Sequence, residues 1–294
     1  MRILLLTKRR EYKSWEIRIT EELEKRGYEV FCVDRYKLEN LPQKRLDAIL
    51  QLMQHNLEHT IKLKEKYNAP FFCYFTGTAP SFREELKEAV SQVDVPIAWS
   101  YTAKKQLEEY YKVEFKVNYL GVDLEQPGIW MQPAEERRGY YTISGDWRHK
   151  RIDILVRNIP RQELTLIGNH GLKKKYGELA TGYVSDVEKN RIRSRKKTFI
   201  HSSLAEGFNL PACSALWFNN YLIMYDLHLY HELYGELIGK SVFLWEDEEQ
   251  FKELIDKVRD LPNFDYGRKY ILDKGLMLQN HVERLEEMLE EVVS

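Results

Sequence analysis

Residues 199–214 read FIHSSLAEGFNLPACS. The apolar start predicts a buried strand, the small polar residues that follow predict a tight loop, and Pro211 fits the first turn of a helix, where a missing N–H costs nothing. The amides of residues 208–210 would then lie at the N-terminus of that helix, with Gly207 permitting the backbone conformation that aims them outward. Amides at the positive end of a helix dipole bind phosphate or sugar oxygens. An ordinary strand-to-helix turn with a surface carboxylate at Glu206 explains the same residues, so both interpretations stay open.

Short apolar runs recur along the whole chain, and amphipathic stretches separate them. The runs cover residues 3–6, 30–33, 48–52, 71–75, 97–99, 115–119, 140–143, 164–167, 183–184, 198–201, 221–225 and 242–245. Continuous rather than alternating runs are typical of parallel strands buried on both faces. The intervening stretches, such as 15–26, 82–90 and 248–259, predict helices, the last with Asp247 as its N-cap. Strand and helix alternation of this kind predicts an α/β fold with two Rossmann-like domains.

Residues 125–133 contain two prolines and a glycine without clear periodicity, and we interpret them as the linker between the domains. The predicted domains are therefore 1–124 and 125–275. Residues 276–294 predict a final helix with one apolar stripe, made of Leu278, Val282, Leu285, Leu289 and Val292.

Composition excludes several classes of protein. The formal net charge is -1, which argues against a chain that coats nucleic acid. The three cysteines have no C-x-x-C spacing, and we expect buried free thiols in a reducing compartment. The apolar run at residues 3–6 is too short for a signal or membrane segment, and no later run reaches about 18 residues. We therefore expect a cytoplasmic protein.

Residues 206–211 resemble the signature loop of the retaining family-4 glycosyltransferases, in which a glutamate precedes Gly-Phe-x-Leu-Pro and a second glutamate follows eight positions after the first. Glu206 stands at the first of these positions and Ser214 at the second. Further segments between residues 95 and 262 are similar to the family in the same order, namely 97–104, 118–124, 143–151, 166–169, 182–185 and 226–232. The resemblance implies the GT-B fold, in which two Rossmann-like domains face a cleft and the C-terminal helix returns to the first domain.

The resemblance also implies a sugar-nucleotide site on the second domain. It gives Glu206 the catalytic role, in contact with the transferred sugar. The implied donor-binding residues are Gly145, Arg148, Lys150, Gly207, Phe208, Asn209, Leu210, Ser214 and Glu232. Asp146 occupies the place of the family's arginine, so Arg148 would join Lys150 on the diphosphate. A serine at 214 can make one hydrogen bond to a ribose but not the charge-assisted pair of a glutamate.

The candidate acceptor-side residues come from two segments. Lys8, Arg9 and Arg10 belong to the basic and aromatic loop after the first predicted strand, and Thr76 and Gly77 follow the fourth. These cations suit an anionic or aromatic acceptor. A solvated cap of the first helix explains them equally well.

The expected function is transfer of a sugar from a nucleotide-diphosphate sugar to a hydroxyl acceptor with retention, by a hexosyltransferase-like enzyme. No metal or other cofactor is expected, since arginine and lysine would balance the diphosphate. The basic runs 173–175 and 191–197 suggest either solvated helix faces or contact with an anionic membrane surface or a polyanionic acceptor. Nucleic acid is not an expected partner. A GT-B-like protein that binds sugar nucleotides or glycans without transfer, and an epimerase or phosphorylase on the same scaffold, remain alternatives.

Overall fold

A computed structural model of the chain describes residues 1–7, 15–34, 41–78, 82–123 and 136–293. Backbone contacts divide the chain into two compact units. The first unit comprises Met1–Asp123 and Gly275–Ser294, and the second comprises Leu124–Lys274. The linker that the sequence predicts, residues 125–133, lies outside the described residues.

The first unit is built on a six-stranded sheet. Its strands are β1 (Arg2–Thr7), β2 (Glu29–Asp34), β3 (Ala48–Gln51), β4 (Phe71–Phe75), β5 (Val95–Ala98) and β6 (Lys116–Val117), and its first four helices are α1 (Trp15–Lys25), α2 (Leu57–Tyr67), α3 (Lys87–Ser91) and α4 (Tyr101–Tyr111). All pairings are parallel, in the order β2-β1-β3-β4-β5-β6. Alternate residues of β1 and β4 point into two separate apolar cores, one on each face of the sheet. This burial on both faces explains the continuous apolar runs.

The second unit repeats the design with a five-stranded sheet. Its strands are β7 (Tyr140–Ser144), β8 (Leu164–Gly168), β9 (Thr198–His201), β10 (Tyr221–Tyr225) and β11 (Val242–Trp245), and its helices are α5 (Ile152–Asn158), α6 (His170–Tyr176), α7 (Asp186–Arg195), α8 (Leu210–Trp217), α9 (His228–Tyr234), α10 (Glu248–Asp260) and α11 (Gly267–Asp273). The strands are all parallel in the order β11-β10-β9-β7-β8. The first strand of the unit, β7, therefore lies between β8 and β9. Open α/β sheets bind ligands at such a switch in strand order, beyond the carboxyl ends of the strands.

The last helix, α12 (Leu278–Val293), belongs to the first unit and packs against α1. Four of the five predicted stripe residues are buried there, while Val292 is 38% exposed because the helix extends past the core. A buried polar network also joins α12 to the sheet. The Asn118 side-chain amide donates to the Tyr74 hydroxyl at 2.8 Å and to the His281 carbonyl at 3.1 Å. Burial lowers the pKa of His281 to about 3, so this histidine is neutral in the folded chain.

These two parallel sheets with interleaved helices confirm the predicted α/β class and the two Rossmann-like domains. The prediction for α10 is also confirmed, since the Asp247 carboxylate accepts hydrogen bonds from the Glu249 and Gln250 amides at 2.9 and 3.0 Å. One strand prediction is wrong. Residues 183–184 form no strand, because Gly182 adopts a positive φ of 76° and the Tyr183 side chain projects into solvent with 68% of its surface exposed.

A second correction concerns residues 82–90. A 3₁₀ turn at Glu84–Leu86 precedes the short helix α3, so this stretch is not one helix. Within the described part of the chain, no helix combines the length and the apolar character that a membrane span requires.

Candidate active site

Two loops meet at the carboxyl ends of β7 and β9 in the second unit. Residues 145–151 follow β7, and residues 202–209 follow β9, the strand that pairs with β7. The Leu204 amide donates to the His149 carbonyl at 2.9 Å, and the Ser202 hydroxyl donates to the Lys150 carbonyl at 2.6 Å. The switch in strand order thus brings these loops together as one hydrogen-bonded layer.

Two side chains from this layer, Lys150 and Glu206, meet His201, the last residue of β9. We call these three residues the Glu206 cluster. The Lys150 ammonium forms an ion pair with Glu206 Oε1, and His201 Nε2 lies 2.6 Å from the same oxygen. All three side chains are largely buried, with 12%, 4% and 13% of their surfaces exposed, respectively. A cation, an imidazole and a carboxylate therefore meet at the edge of the sheet where ligands of such folds bind.

The charge state of Glu206 follows from these contacts. Burial by itself raises the pKa of this carboxyl, but His201 and Lys150 outweigh it and hold the pKa at about 2. The carboxylate is thus ionised at neutral pH and can only accept hydrogen bonds. His201 Nε2 must therefore carry the hydrogen that it shares with Glu206. The nearby His149 has a lowered pKa, because of its partial burial and the positive charge of Lys150.

The start of α8 lies directly after this cluster. Asn209 adopts a left-handed conformation with φ 70°, and its side-chain oxygen accepts a hydrogen bond from the Ala212 amide at 3.2 Å. Its side-chain nitrogen donates to the buried Tyr230 hydroxyl at 2.8 Å. Pro211 stands in the first turn, as the sequence predicts. We expected Gly207 to supply the special backbone conformation, but the structure gives the left-handed turn to Asn209, which combines it with the N-cap.

The remaining predicted donor-binding residues occupy several elements. Phe208 is 1% exposed, which makes its ring part of the core. Arg148 is exposed and opens a 3₁₀ turn that also contains Lys150. Ser214 is buried within α8, and Glu232 lies on α9, after a different strand.

Gly145 is buried where β7 ends, beneath an exposed tryptophan. A side-chain carbon at this position would lie 2.7 Å from the Trp147 ring. The Trp147 ring is parallel to the His149 ring, with centroids 6.1 Å apart, and 58% of Trp147 is exposed. An alanine at this position would therefore require the exposed indole to move.

A cavity of about 250 Å³ lies beside this loop. Its lining residues are Asp146, Trp147, Arg148, Arg151, Ile152, Asp153 and Lys175. Asp146 faces Lys175, with 3.6 Å between the carboxylate oxygen and the ammonium. The carboxylate that replaces the family's arginine is therefore paired with a lysine from α6.

Arg151 connects the loop to three further strand ends. Its Nε donates to the Ser202 carbonyl at 2.8 Å, and its guanidinium lies over the rings of Tyr225 and Trp245, 4.0 and 5.1 Å from the ring centroids. The residue adopts a left-handed conformation with φ 47°, which is unfavourable for a residue with a side chain. The contacts of the guanidinium with Ser202, Tyr225 and Trp245 offset that cost.

The predicted acceptor-side residues belong to the first unit. Lys8, Arg9 and Arg10 lie outside the described residues. Thr76 contacts Gln54 through its backbone amide and its hydroxyl, at 3.4 and 3.3 Å. Gly77 has a positive φ of 64° and packs so closely on Ala103 of α4 that a side-chain carbon would lie 2.4 Å from the Ala103 methyl group. Gly77 thus has a packing role whatever it binds.

Sequence reasoning missed His201 and Arg151. His201 ends a predicted strand five positions before Glu206, and that position at a strand terminus was the available signal. Arg151 belongs to the basic segment 148–151 of the sequence. Nothing local in the sequence shows that its guanidinium reaches aromatic rings on β10 and β11.

Comparison with known proteins supports the fold. No family model matches the chain. It is 21% identical over 198 residues to the O-antigen chain mannosyltransferase RfbU of Salmonella typhimurium, covering 62% of this chain and spanning only 56% of that protein.

Solved structures match nearly the whole chain at low identity. A glycosyltransferase from Rickettsia africae matches with a TM-score of 0.77 and 13% identity, over 100% of this chain and 98% of that one. Anabaena HepE in complex with UDP and glucose matches with a TM-score of 0.68 and 15% identity, over 99% and 100%. The chain therefore has the GT-B fold that its sequence resemblance implied.

Proposed function

We propose that this chain with the GT-B fold is a glycosyltransferase, which transfers a sugar from a nucleotide-diphosphate sugar to a hydroxyl acceptor. The observation that carries the proposal is the Glu206 cluster, defined above by Lys150, His201 and Glu206. It combines a buried ionised carboxylate with a cation beside the N-terminus of α8, at the switch in strand order. The similarity to a curated mannosyltransferase and to glycosyltransferase structures supports the same reaction class.

The donor diphosphate is proposed to bind between Lys150, Arg148 and the amides of residues 208–210. Two phosphates in a partly dry cleft need cationic partners, and amides at a helix N-terminus add partial positive charge. Since these groups supply the countercharge, we propose that the reaction needs no metal. HepE is described with UDP and with UDP-glucose, which makes uridine nucleotides the first donors to test.

Glu206 is proposed to act on the transferred sugar. An ionised carboxylate can accept hydrogen bonds from sugar hydroxyls and stabilise positive charge that develops at the anomeric carbon. The bond between that carbon and the diphosphate oxygen breaks, and a bond to the acceptor oxygen forms. The acceptor proton passes to the leaving phosphate. Retention of configuration is proposed from the family resemblance alone.

Ser214 and Glu232 are proposed to face the nucleoside end of the donor. A serine hydroxyl at 214 offers one hydrogen bond to a ribose, where the family's glutamate offers two. We therefore expect weaker nucleotide binding than in enzymes with both glutamates.

The acceptor is proposed to meet the first unit at Lys8, Arg9, Arg10, Thr76 and Gly77. Contact with an anionic membrane also stays a prediction. Part of the basic surface already has partners, since Arg191 pairs with Glu188 and Lys189 with Asp186 on α7. The cytoplasmic location likewise stays a prediction.

A second candidate is a protein that binds sugar nucleotides without transferring them. Two observations favour it. Ser214 replaces a family carboxylate, and Asp146 replaces the family's arginine and pairs with Lys175.

A donor panel separates the two candidates. The full chain is incubated with UDP-, GDP- and ADP-sugars, and donor consumption is followed by NMR. We expect slow hydrolysis of at least one donor, abolished in Glu206→Gln and retained in Glu248→Gln, which changes an exposed carboxylate on α10. Binding without turnover in the wild type, with affinity unaltered in Glu206→Ala, would contradict the enzyme and support the second candidate.

A further inference from the structure

We propose that His201 is the positioning residue of Glu206, holding its carboxylate in place while Lys150 leaves it to bind the donor diphosphate. The inference rests on the proposed function and adds a residue to which neither the family resemblance nor the comparisons give a role.

The geometry of His201 suits a fixed hydrogen-bond donor. It is the last residue of β9, a strand paired on both sides by β7 and β10. Its ring lies nearly parallel to that of Phe199, with centroids 5.8 Å apart and 14° between the planes, and its side chain is only 4% exposed. The imidazole therefore has little freedom to move. Its Nε2 donates to Glu206 Oε1 from the rigid part of the fold.

Lys150 is placed differently. It lies in a 3₁₀ turn within the loop after β7, on a long side chain with many rotamers. Its ammonium shares Oε1 with His201, and it is also the cation that the resemblance assigns to the diphosphate. A diphosphate carries more negative charge than one carboxylate, so it competes for Lys150.

Loss of Lys150 would leave a largely buried carboxylate with one partner in the cluster. The other groups that face Glu206 are His149, from the loop after β7, and Tyr230, from α9. The Tyr230 hydroxyl accepts from the Asn209 side chain and is fully buried. His201 is thus the member of the cluster that can keep Glu206 ionised and oriented toward the sugar. No proton moves in this step, because Nε2–H donates throughout.

Two substitutions separate the hydrogen bond that His201 donates to Glu206 from the packing of its ring on Phe199. His201→Phe keeps an aromatic ring against Phe199 but removes the donor, whereas His201→Gln keeps an N–H at a similar reach. We expect kcat to fall about 10- to 100-fold in His201→Phe, as when other preorganised hydrogen-bond donors are removed. We expect His201→Gln to recover most of the rate, and the Kd for the nucleoside diphosphate to change less than about threefold in either variant. His59→Phe, an exposed histidine of α2, is the control.

A measurement without turnover keeps the inference independent of the proposed function. Carboxyl ¹³C NMR of glutamate-labelled protein, assigned with Glu206→Gln, follows the Glu206 carboxylate in the presence of saturating UDP. We expect this carboxylate to stay ionised to a lower pH in the wild type than in His201→Phe.

Each result has one meaning. An unchanged Glu206 titration in His201→Phe overturns the positioning role, as does a His201→Gln variant as defective as His201→Phe. If the wild type turns over no donor, the proposed function fails, and the NMR titration still decides the role of His201.

Discussion

Lys150 and Glu206 are 56 positions apart in the chain, yet they form a largely buried ion pair where the loops after β7 and β9 meet. The pairing links two roles that we propose separately, the diphosphate contact for Lys150 and the sugar contact for Glu206. Any anion that binds Lys150 must therefore compete with Glu206. This competition makes the two sites interdependent, and each of the first two predictions tests one side of it.

Replacing Lys150 should weaken nucleotide binding. Lys150→Ala removes the cation and leaves the Glu206 charge to repel a diphosphate, so we expect a loss of about 1–3 kcal/mol in the binding of UDP or GDP, typical of a charged hydrogen bond. Glu206→Gln should leave this affinity unchanged or increase it, because the amide holds Lys150 less strongly. Isothermal titration calorimetry measures both.

Lys174→Ala is the matched control, since Lys174 is an exposed cation of α6. Arg148→Ala should weaken binding in the same way as Lys150→Ala. Unaltered affinity in both variants would place the diphosphate elsewhere.

Acid should reveal the stabilising effect of the Glu206 contacts. The pKa of Glu206 is about 2 in the folded chain and ordinarily 4.5, so its contribution is complete above about pH 4.5 and is lost as the pH falls toward 2. We expect Glu206→Gln to be less stable than the wild type by about 3 kcal/mol at pH 7, with the difference shrinking below pH 4.5. Urea unfolding between pH 7 and pH 3 tests this.

Glu248 is an exposed carboxylate with which the acid response of Glu206 can be compared. Its hydrogen bonds with Arg157 lower the pKa of this carboxyl too, but the pair is exposed and screened by solvent. We expect Glu248→Gln to follow the wild type across the pH range. An equal acid response in the two variants would show that burial of Glu206 does not matter.

At Arg151, we expect glycine to lower the stability of the fold less than lysine does. Arg151→Gly removes the backbone strain but also the hydrogen bond to Ser202 and the contact with Tyr225, so we expect a net loss of about 1 kcal/mol. Arg151→Lys keeps the strain and loses the planar stacking, and we expect a larger loss, about 2 kcal/mol. Thermal and urea unfolding give the order. A glycine variant more stable than the wild type would show that backbone strain outweighs the side-chain contacts.

Two glycines of the second unit, Gly168 and Gly145, should differ sharply in the stability that is lost when each is changed to alanine. At Gly168 the added carbon would lie 2.0 Å from the Ser144 carbonyl oxygen, which belongs to the neighbouring strand and cannot move aside. We expect Gly168→Ala to cost about 3 kcal/mol, as overpacking against backbone does.

At Gly145 the three atoms nearest to the added carbon all belong to the exposed Trp147 ring, which can swing away. Gly145→Ala should therefore cost less than about 1 kcal/mol and change the tryptophan fluorescence. Equal unfolding midpoints for the two variants would contradict this account.

Local sequence patterns determined much of the architecture. Eleven of the twelve apolar runs located the eleven strands of the described residues to within a few positions, because burial on both faces of a parallel sheet demands continuous apolar residues. The start of α10 at Asp247 followed from capping chemistry. The false strand at 183–184 shows the limit, since two apolar residues after a glycine do not distinguish a strand from an exposed loop.

The composition of the Glu206 cluster was decided only by the tertiary structure. The sequence identified Glu206 through its loop and placed Pro211 in the first turn of α8. It did not show that β7 lies beside β9, because strand order depends on long-range packing and not on local propensity. That order brings Lys150 and His201 onto one oxygen of Glu206, where burial strengthens their effect on its charge. The sequence thus determined which residue types stand at the strand ends. The folded chain decided which of them form hydrogen bonds and ion pairs with one another.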